Sequence, residues 1–248
     1  MYEISQKSCV KVVSNSGNSK GTGFFISENL VATCFHVIAS IQQNGVNVQW
    51  DIFQDLKVTT INGEELDADC ISVPTQTELS PLVNDFAILE LSQQPTNLDD
   101  YDLKLTASTL DDLNVGAGCY YSGYPLASPT MITNKGYISG IAHDVDIICV
   151  DGSINKGNSG GALISEEGEV LGIISMREGG ISKGLQELTL HIEATSKQGT
   201  VQIMGVDALQ AIKETIETLN KYISTGLGYA RDIKYLKEYC ETHNINIP

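Results

Sequence analysis

A serine set among glycines is the residue of this sequence best placed to do chemistry. Ser159 lies in Gly157-Asn158-Ser159-Gly160-Gly161, where the glycines let the backbone turn tightly and let a substrate carbonyl group approach the hydroxyl. A serine hydroxyl is a weak nucleophile at neutral pH, so it needs a base to take its proton and an acid to orient that base. The pattern therefore predicts nucleophilic catalysis and requires two further side chains.

Two upstream segments supply candidates for these partners. His36 lies in Thr33-Cys34-Phe35-His36-Val37, and Asp85 lies directly before the apolar run Phe86-Ala87-Ile88-Leu89. The glycine-flanked serine also fits the nucleophile elbow of α/β-hydrolases, but that elbow requires a following helix and the chain order serine, acid, histidine. Here the order is histidine, aspartate, serine, and a strand pattern follows Ser159, so the elbow is disfavoured.

Short strands separated by turn residues must position these three groups. The first part of the chain predicts six or so strands, enough for one small barrel over about residues 8–92. The candidate strands are Val10–Val13, Gly23–Ile26, Leu30–Thr33, Val46–Trp50, Leu56–Ile61, Asp69–Val73 and Phe86–Leu91.

A polar connection at residues 92–112 precedes a second set of strand patterns, which predicts a second barrel over about residues 113–205. Its candidate strands are Cys119–Gly123, Met131–Thr133, Gly136–Gly140, Asp146–Val150, Gly161–Ser165, Val170–Met176, Leu188–Ala194 and Thr200–Met204. Regular strands with almost no intervening helix predict an all-β fold built from two six-stranded antiparallel barrels.

Only the end of the chain has a helical pattern. Asp207 followed by Gln210 resembles a capping box, and an apolar stripe with helical spacing predicts a helix at 207–224. A second stripe predicts an additional helical segment within residues 226–248, and it comprises Tyr229, Ile233, Leu236 and Cys240. Because a short helix is marginal unless its apolar face is buried, this segment must pack on the barrels or on a partner.

Bulk properties exclude several classes of protein. The 248 residues carry a formal net charge of −16, which would repel nucleic acid and anionic membrane surfaces. The start lacks the pattern of a secretory signal, and we expect a cytoplasmic protein. The six cysteines have no metal-binding spacing, so we expect free buried thiols and neither metal nor cofactor.

Five ordered motifs give the sequence a resemblance to trypsin-like serine peptidases, especially to the bacterial HtrA (Deg) branch. No PDZ-like segment is found after them. The motifs are Gly21-Thr22-Gly23-Phe24-Phe25-Ile26, Leu30-Val31-Ala32-Thr33-Cys34-Phe35-His36-Val37, Asn84-Asp85-Phe86-Ala87-Ile88-Leu89, Gly157-Asn158-Ser159-Gly160-Gly161 and Val170-Leu171-Gly172-Ile173-Ile174-Ser175. Members of this family have two six-stranded β-barrels, with the active site in the crevice between them.

The resemblance implies a role for each matched residue. Ser159 is expected to be the nucleophile, His36 the general base and then acid, and Asp85 the group that holds the imidazole tautomer. The backbone N–H groups of Gly157 and Ser159 are expected to form the oxyanion hole. Ser175 matches a serine that supports the aspartate, and the substrate backbone is expected to pair along the strand that ends in Ser175-Met176-Arg177.

Two positions depart from the pancreatic members of the family. Asn158 stands where those enzymes have an aspartate that pairs with a newly cleaved N-terminus, so that activation switch is not expected here. Ser153 stands where trypsin has the aspartate that selects Lys or Arg, which predicts preference for an uncharged substrate residue.

Two functional hypotheses follow. The first is an intracellular serine endopeptidase that acts on polypeptides and is regulated by a partner protein or adjoining domain through the C-terminal helices. The second is a catalytically idle trypsin-like fold that serves as a protein-binding module, because sequence does not reveal the geometry of the oxyanion hole.

Overall fold

The computed structural model describes residues 1–44, 47–96, 104–105, 110–126, 128–177, 183–196, 202–203, 205–222 and 226–247. The chain divides into two units. The larger unit comprises Met1–Arg177 together with Gly226–Pro248, and the smaller unit is the intervening segment Glu178–Thr225.

The elements are named here in chain order. The strands are β1 (Cys9–Ser14), β2 (Ser19–Phe25), β3 (Leu30–Thr33), β4 (Ala39–Asn44), β5 (Asn47–Ile52), β6 (Leu56–Thr59), β7 (Glu65–Cys70), β8 (Ala87–Leu91), β9 (Lys104–Leu105), β10 (Gly118–Gly123), β11 (Ile132–Ala142), β12 (Ile147–Asp151), β13 (Ala162–Ser165), β14 (Glu169–Arg177), β15 (Gln202–Ile203), β16 (Val206–Asp207) and β17 (Leu227–Asp232). The helices are α1 (Tyr2–Ser8), α2 (Phe35–Ile38), α3 (Ser80–Val83), α4 (Lys183–Ser196), α5 (Ala208–Tyr222) and α6 (Lys234–Thr242), with a 3₁₀ turn at Leu110–Asp112.

The first barrel closes in the order β1-β2-β3-β8-β7-β6. Strand β1 alternates in burial: Val10 and Val12 are fully buried, whereas Lys11 between them is only half-buried. The strand predicted at Val46–Trp50 is not part of this barrel, because β5 pairs with β4 in a separate two-stranded sheet.

The second barrel closes in the order β13-β10-β11-β12-β17-β14, with β14 pairing back onto β13, and β9 adds a short parallel pairing to β14. The predicted fold class is confirmed, since both barrels are closed, six-stranded and antiparallel. The predicted limits of the second barrel need correction, because its last strand is β17 and lies well beyond residue 205.

Two local predictions around this last strand are wrong. Tyr229 was expected in a helix but lies in β17, whose alternate residues Gly228, Ala230 and Asp232 are buried. Two of these are small and one is acidic, so the strand has no hydrophobic alternation to reveal it. In contrast, the alternating apolar residues of 188–194, expected as a strand, belong to helix α4.

The smaller unit contains α4, α5 and the two-stranded sheet of β15 and β16. One isoleucine of each helix, Ile192 and Ile216, is buried, and Lys213 pairs with Glu193 at 3.0 Å. Asp207 precedes α5 and caps it, because its Oδ1 accepts hydrogen bonds from the backbone N–H groups of the second and third residues of the helix. Of the strand predicted at 200–204, only Gln202 and Ile203 are described.

Helix α6 returns to the first barrel within the larger unit. Leu236, Tyr239 and Cys240 are buried in the same hydrophobic cluster as the residues of that barrel. Tyr239 packs edge-on against Phe86, with the ring centres 5.5 Å apart. From Ile233 onward, the apolar stripe predicted for the C-terminal segment therefore packs against other residues of the same chain.

All six cysteines are free thiols, as the sequence predicts. Four of them are buried, whereas Cys70 and Cys149 are half-buried.

Candidate active site

His36 and Asp85 form a hydrogen-bonded pair on the first barrel. His36 lies on α2, directly after β3, and its Nδ1 is 2.9 Å and 3.0 Å from the two carboxylate oxygens of Asp85. The backbone N–H of His36 also donates to Asp85 Oδ1 at 3.1 Å. His36 thus contacts Asp85 through both its ring and its backbone, which fixes the orientation of the two side chains. The Nδ1 proton lies between the ring and the carboxylate.

The backbone of Asp85 is in the left-handed region, with φ at 54°. Asp85 sits between α3 and β8, and the short helix is continued by hydrogen bonds from Asn84 N to Ser80 O and from Phe86 N to Pro81 O. A non-glycine residue is held in this conformation only where its surroundings determine it, and such residues concentrate at functional sites.

Ser175 connects the His36–Asp85 pair to Ser159. The Ser175 hydroxyl donates to Asp85 Oδ2, and the Ser175 carbonyl oxygen accepts the hydroxyl of Ser159 at 3.1 Å. Ser175 is the extra residue of a β-bulge, because Ile174 and Met176 pair with consecutive residues of β17. A bulge redirects a side chain out of the regular alternation, which lets this strand contact both Asp85 and Ser159.

Ser159 is held by a tight turn between two glycines of positive φ, Gly157 at 99° and Gly160 at 91°. A Cβ atom on Gly160 would overlap the Thr22 carbonyl oxygen and the Thr33 hydroxyl, so only glycine fits there. The Ser159 hydroxyl donates to Ser175, and within the described part of the chain it makes no hydrogen bond with His36.

The backbone N–H groups of Gly157 and Ser159 donate to no protein atom among the described residues. Gly157 is buried and Ser159 is partly exposed. Donors left without an acceptor next to a nucleophile are the groups that an oxyanion hole requires.

Asn158, between these two residues, is turned inward. It is buried, and its Nδ2 donates to the carbonyl oxygen of Ser153 at 3.4 Å. This amide takes the place of the charged aspartate of pancreatic enzymes and has a protein partner already.

The site shifts the titration of both members of the pair. Burial disfavours the charged form of His36, but the hydrogen bond and negative charge of Asp85 outweigh it, so the pKa of His36 is raised. Burial likewise opposes the Asp85 carboxylate, yet the hydrogen bonds and charge of His36 and the Ser175 hydroxyl lower its pKa. Near neutral pH the carboxylate is therefore charged and faces an imidazole made more basic.

The four residues predicted to contact substrate fall at two places; Ser175, described above, lies on β14. Ser153 is exposed on the loop before Ser159, whereas Met176 and Arg177 lie at the end of β14, where they pair with Tyr229 and Gly228. Among the described strands none pairs with the opposite edge of β14 at these two residues. An unpaired strand edge is the kind of site to which an extended peptide can add a strand.

Sequence reasoning passed over Ile154, which lies next to Ser153. Ile154 is 1% exposed, and a Cβ atom on Gly228 would overlap its side chain. Ile154 directly follows Ser153, the residue predicted to select the substrate side chain. Its position next to Ser153 could have identified it from the sequence.

A thiol lies against the His36–Asp85 pair. Cys34 Sγ, a ring nitrogen of His36 and an Asp85 oxygen lie within 4.8 Å of one another, which among the described residues is the one trio spaced to hold a metal ion. Burial and the Asp85 charge raise the pKa of the Cys34 thiol, which donates to Ile174 O at 3.3 Å. We interpret the trio as a hydrogen-bonded pair over a protonated thiol, because a metal ligand would have to be the thiolate.

Residues 21–173 of the chain match a family model described as a trypsin-like peptidase domain. The chain belongs to the trypsin-like peptidase family. The matched segment contains His36, Asp85 and the whole Ser159 turn, and it ends just before Ser175.

Curated relatives place the domain near the HtrA branch, as the resemblance predicted. It is 32% identical over 177 residues to a probable periplasmic serine endoprotease DegP-like of Halomonas elongata, covering 67% of this chain and 32% of the relative. It is 27% identical over 228 residues to the protein of the same description from Rickettsia conorii, covering 84% and 39%. The chain thus spans well under half the length of these relatives.

Solved structures confirm the fold. The serine endoprotease from Yersinia pestis has a TM-score of 0.59 at 20% identity, covering 99% of this chain and 66% of that one. The inactive form of the Rv3671c protease has a TM-score of 0.58 at 17% identity, covering 97% and 90%.

Proposed function

We propose that this domain is a serine endopeptidase that hydrolyses peptide bonds through an acyl-enzyme intermediate. The observation that carries the proposal is one continuous set of hydrogen bonds from His36 through Asp85 and Ser175 to Ser159, next to two backbone donors without acceptors. Acyl transfer to a serine uses a basic imidazole, an oriented carboxylate, a glycine-flanked hydroxyl and free amide donors together, and hydrolysis of a peptide bond is such a transfer.

In the first step the Ser159 hydroxyl leaves the Ser175 carbonyl by rotation about its Cα–Cβ bond and turns to Nε2 of His36. Apo sites often have loose catalytic hydrogen bonds that tighten when substrate binds. Ser159 Oγ then bonds to the scissile carbonyl carbon while His36 takes its proton. The carbonyl oxygen gains the electron pair and is stabilised by the N–H groups of Gly157 and Ser159.

In the following step His36 gives the proton to the leaving amine nitrogen as the carbon–nitrogen bond breaks, which leaves the acyl group on Ser159. Water repeats the sequence with His36 again as base, and the acid product leaves. Throughout, Asp85 keeps its charge, holds the Nδ1 proton in place and stabilises the imidazolium.

For specificity we propose an uncharged residue before the scissile bond. Ser153 occupies the position of a charged selector, and Ile154 beside it is apolar and packed against Gly228. Mass-spectrometric profiling of peptides cleaved from a proteome tests this directly. Cleavage mainly after Lys or Arg would contradict it.

A fluorophosphonate probe tests the function itself, because only an activated serine reacts quickly with it. We expect rapid labelling of the wild-type chain and of Ser139→Ala, which removes an exposed serine of β11, and loss of labelling in Ser159→Ala. Slow, unspecific labelling of all three would instead support the idle binding module.

Location and regulation remain predictions. We propose a cytoplasmic peptidase controlled by a partner protein through its C-terminal helices; the two relatives described above are named periplasmic. Because the apolar face of α6 packs on the first barrel, we propose α5 as the helix that a partner contacts. None of the described helices is both long and apolar enough to span a membrane.

A further inference from the structure

Thr22 joins the first barrel to the turn that carries Ser159. It lies in β2 and is fully buried. Its backbone N–H donates to the Ser159 carbonyl oxygen at 2.8 Å, and its hydroxyl donates to the Gly157 carbonyl oxygen at 2.7 Å. The same hydroxyl accepts a hydrogen bond from the Tyr124 N–H at 3.0 Å.

Gly157 is held from its other side by the segment after β10. The backbone N–H of Leu126 donates to the Lys156 carbonyl oxygen at 2.8 Å, and a Cβ atom on Gly157 would overlap the Tyr124 carbonyl oxygen. In a planar peptide the N–H points opposite to the C=O, so the Leu126 contact directs the Gly157 N–H away from residues 124–126. The Thr22 hydroxyl fixes the next peptide in the same way.

These two contacts restrain the peptide planes on either side of a glycine with φ at 99°. Glycine has the widest range of backbone conformations, so rotation about its own bonds could turn the N–H of Gly157 away from the site. The hydroxyl of Thr22 opposes that rotation from the first barrel, because it is bonded at once to Gly157 and to Tyr124.

We propose that Thr22 is a positioning residue for the oxyanion hole. It touches no reacting atom; it holds the Gly157 peptides so that the N–H groups of Gly157 and Ser159 converge on one oxygen. This inference rests on the proposed peptidase function. It adds that a residue of the first barrel helps to position an oxyanion hole whose N–H donors both belong to the second barrel. In the sequence, the Gly21-Thr22-Gly23 motif indicates the family but does not reveal this role.

Three variants isolate the hydroxyl. Thr22→Val keeps the shape and removes both hydroxyl contacts, whereas Thr22→Ser keeps the hydroxyl. Thr60→Val is the matched control: it removes another buried threonine hydroxyl, directly after β6 of the first barrel, which accepts a hydrogen bond from the Glu64 N–H at 3.3 Å and makes no bond to the Ser159 turn. The readouts are kcat and KM on a chromogenic peptide, and the inhibition constant of a peptide boronate, whose tetrahedral adduct requires the hole.

We expect Thr22→Val to lower kcat roughly 10- to 100-fold and to weaken boronate binding by a similar factor, since losing one oxyanion donor outright costs about 10²–10³ in kcat. KM should stay within about threefold, because the ground-state substrate does not need the hole. Thr22→Ser and Thr60→Val should keep kcat within about threefold of wild type.

Thermal melts accompany the kinetics. If Thr22→Val does not fold, Thr22→Ala and Thr22→Ser replace it as a pair of small residues that differ by the hydroxyl alone. A variant lacking the Thr22 hydroxyl that keeps kcat and boronate affinity equal to those of Thr60→Val overturns this inference alone. A wild-type chain without fluorophosphonate reactivity overturns the proposed function and this inference with it.

Discussion

The two barrels reach the same architecture from differently organised stretches of chain. The first takes all six strands from Cys9–Leu91, whereas the second takes five from Gly118–Arg177 and its sixth, β17, only after the segment Glu178–Thr225. The second barrel therefore depends for its closure on a strand that is distant in sequence. That strand, β17, pairs with β12 on one side and with β14 on the other.

The barrels also divide the candidate site between them. The first provides the His36–Asp85 pair, and the second provides Ser159, the proposed nucleophile, with the neighbouring backbone donors. At the site they are joined by hydrogen bonds that include Ser175 to Asp85, Cys34 to Ile174 and Thr22 to the Ser159 turn. A chain that loses one barrel should thus lose all catalysis.

The largest effect is expected from removing residues 226–248. The truncated chain lacks both β17, which closes the second barrel, and α6, which fills part of the core of the first. We expect no cooperative unfolding transition by circular dichroism.

The matched control replaces Glu178–Thr225 by a short glycine-serine turn and keeps β17. Arg177 pairs with Gly228, so a short connection can join the two strands. This variant should unfold cooperatively with two intact barrels. A truncated chain that melts like the full one would show that β17 is dispensable.

Substitutions in the site should give the next largest effect. Ser159→Ala on one barrel, and His36→Ala or Asp85→Asn on the other, should each lower kcat by roughly 10⁴- to 10⁶-fold with little change in the melting temperature. Because the groups act together, the double variant Ser159→Ala/His36→Ala should be no slower than the worse single variant. Near-full peptidase activity of Ser159→Ala would refute the mechanism.

The contrast between the barrels also explains what sequence could predict. His36, Asp85 and the Ser159 turn could be selected as candidates because ordered motifs surround them, and most strands of both barrels could be predicted from short apolar runs bounded by turn residues. Strand β17 could not be recognised, since its inward residues are Gly228, Ala230 and Asp232. The hydrogen bond of Ser159 to Ser175 could not be predicted either, because it depends on a bulge formed by strand pairing.

A smaller effect should distinguish two tyrosines of α6. Tyr239→Ala empties a buried position against Phe86 in the first barrel and should lower the free energy of unfolding by about 3 kcal/mol. Tyr235→Phe loses only a hydrogen bond to Asp146, on the turn before β12 of the second barrel, and should cost about 1 kcal/mol or less. Urea unfolding measures both, and equal losses would mean that α6 does not favour the first barrel.

The smallest effect concerns pH and belongs to the first barrel. Since neutral His36 is the proposed base, kcat/KM should rise with pH through the pKa of His36, which the Asp85 contacts raise. In an inactive Ser159→Ala background, NMR can follow the His36 titration directly. Adding Asp85→Asn should move the midpoint to lower pH, whereas Asp111→Asn, which removes a carboxylate 3.3 Å from His143, should leave it in place.

The raised pKa of His36 also makes the stability of the fold depend on pH, and this contribution to stability falls with rising pH whereas activity rises. A native pKa raised above the unfolded value means that protonated His36 stabilises the fold, fully below the unfolded pKa and progressively less as pH rises through the native pKa. Activity should therefore rise over the pH window in which this contribution to stability falls, and Asp85→Asn should remove the stability change along with the shift. A His36 midpoint that stays the same in Asp85→Asn would show that the carboxylate does not tune the base.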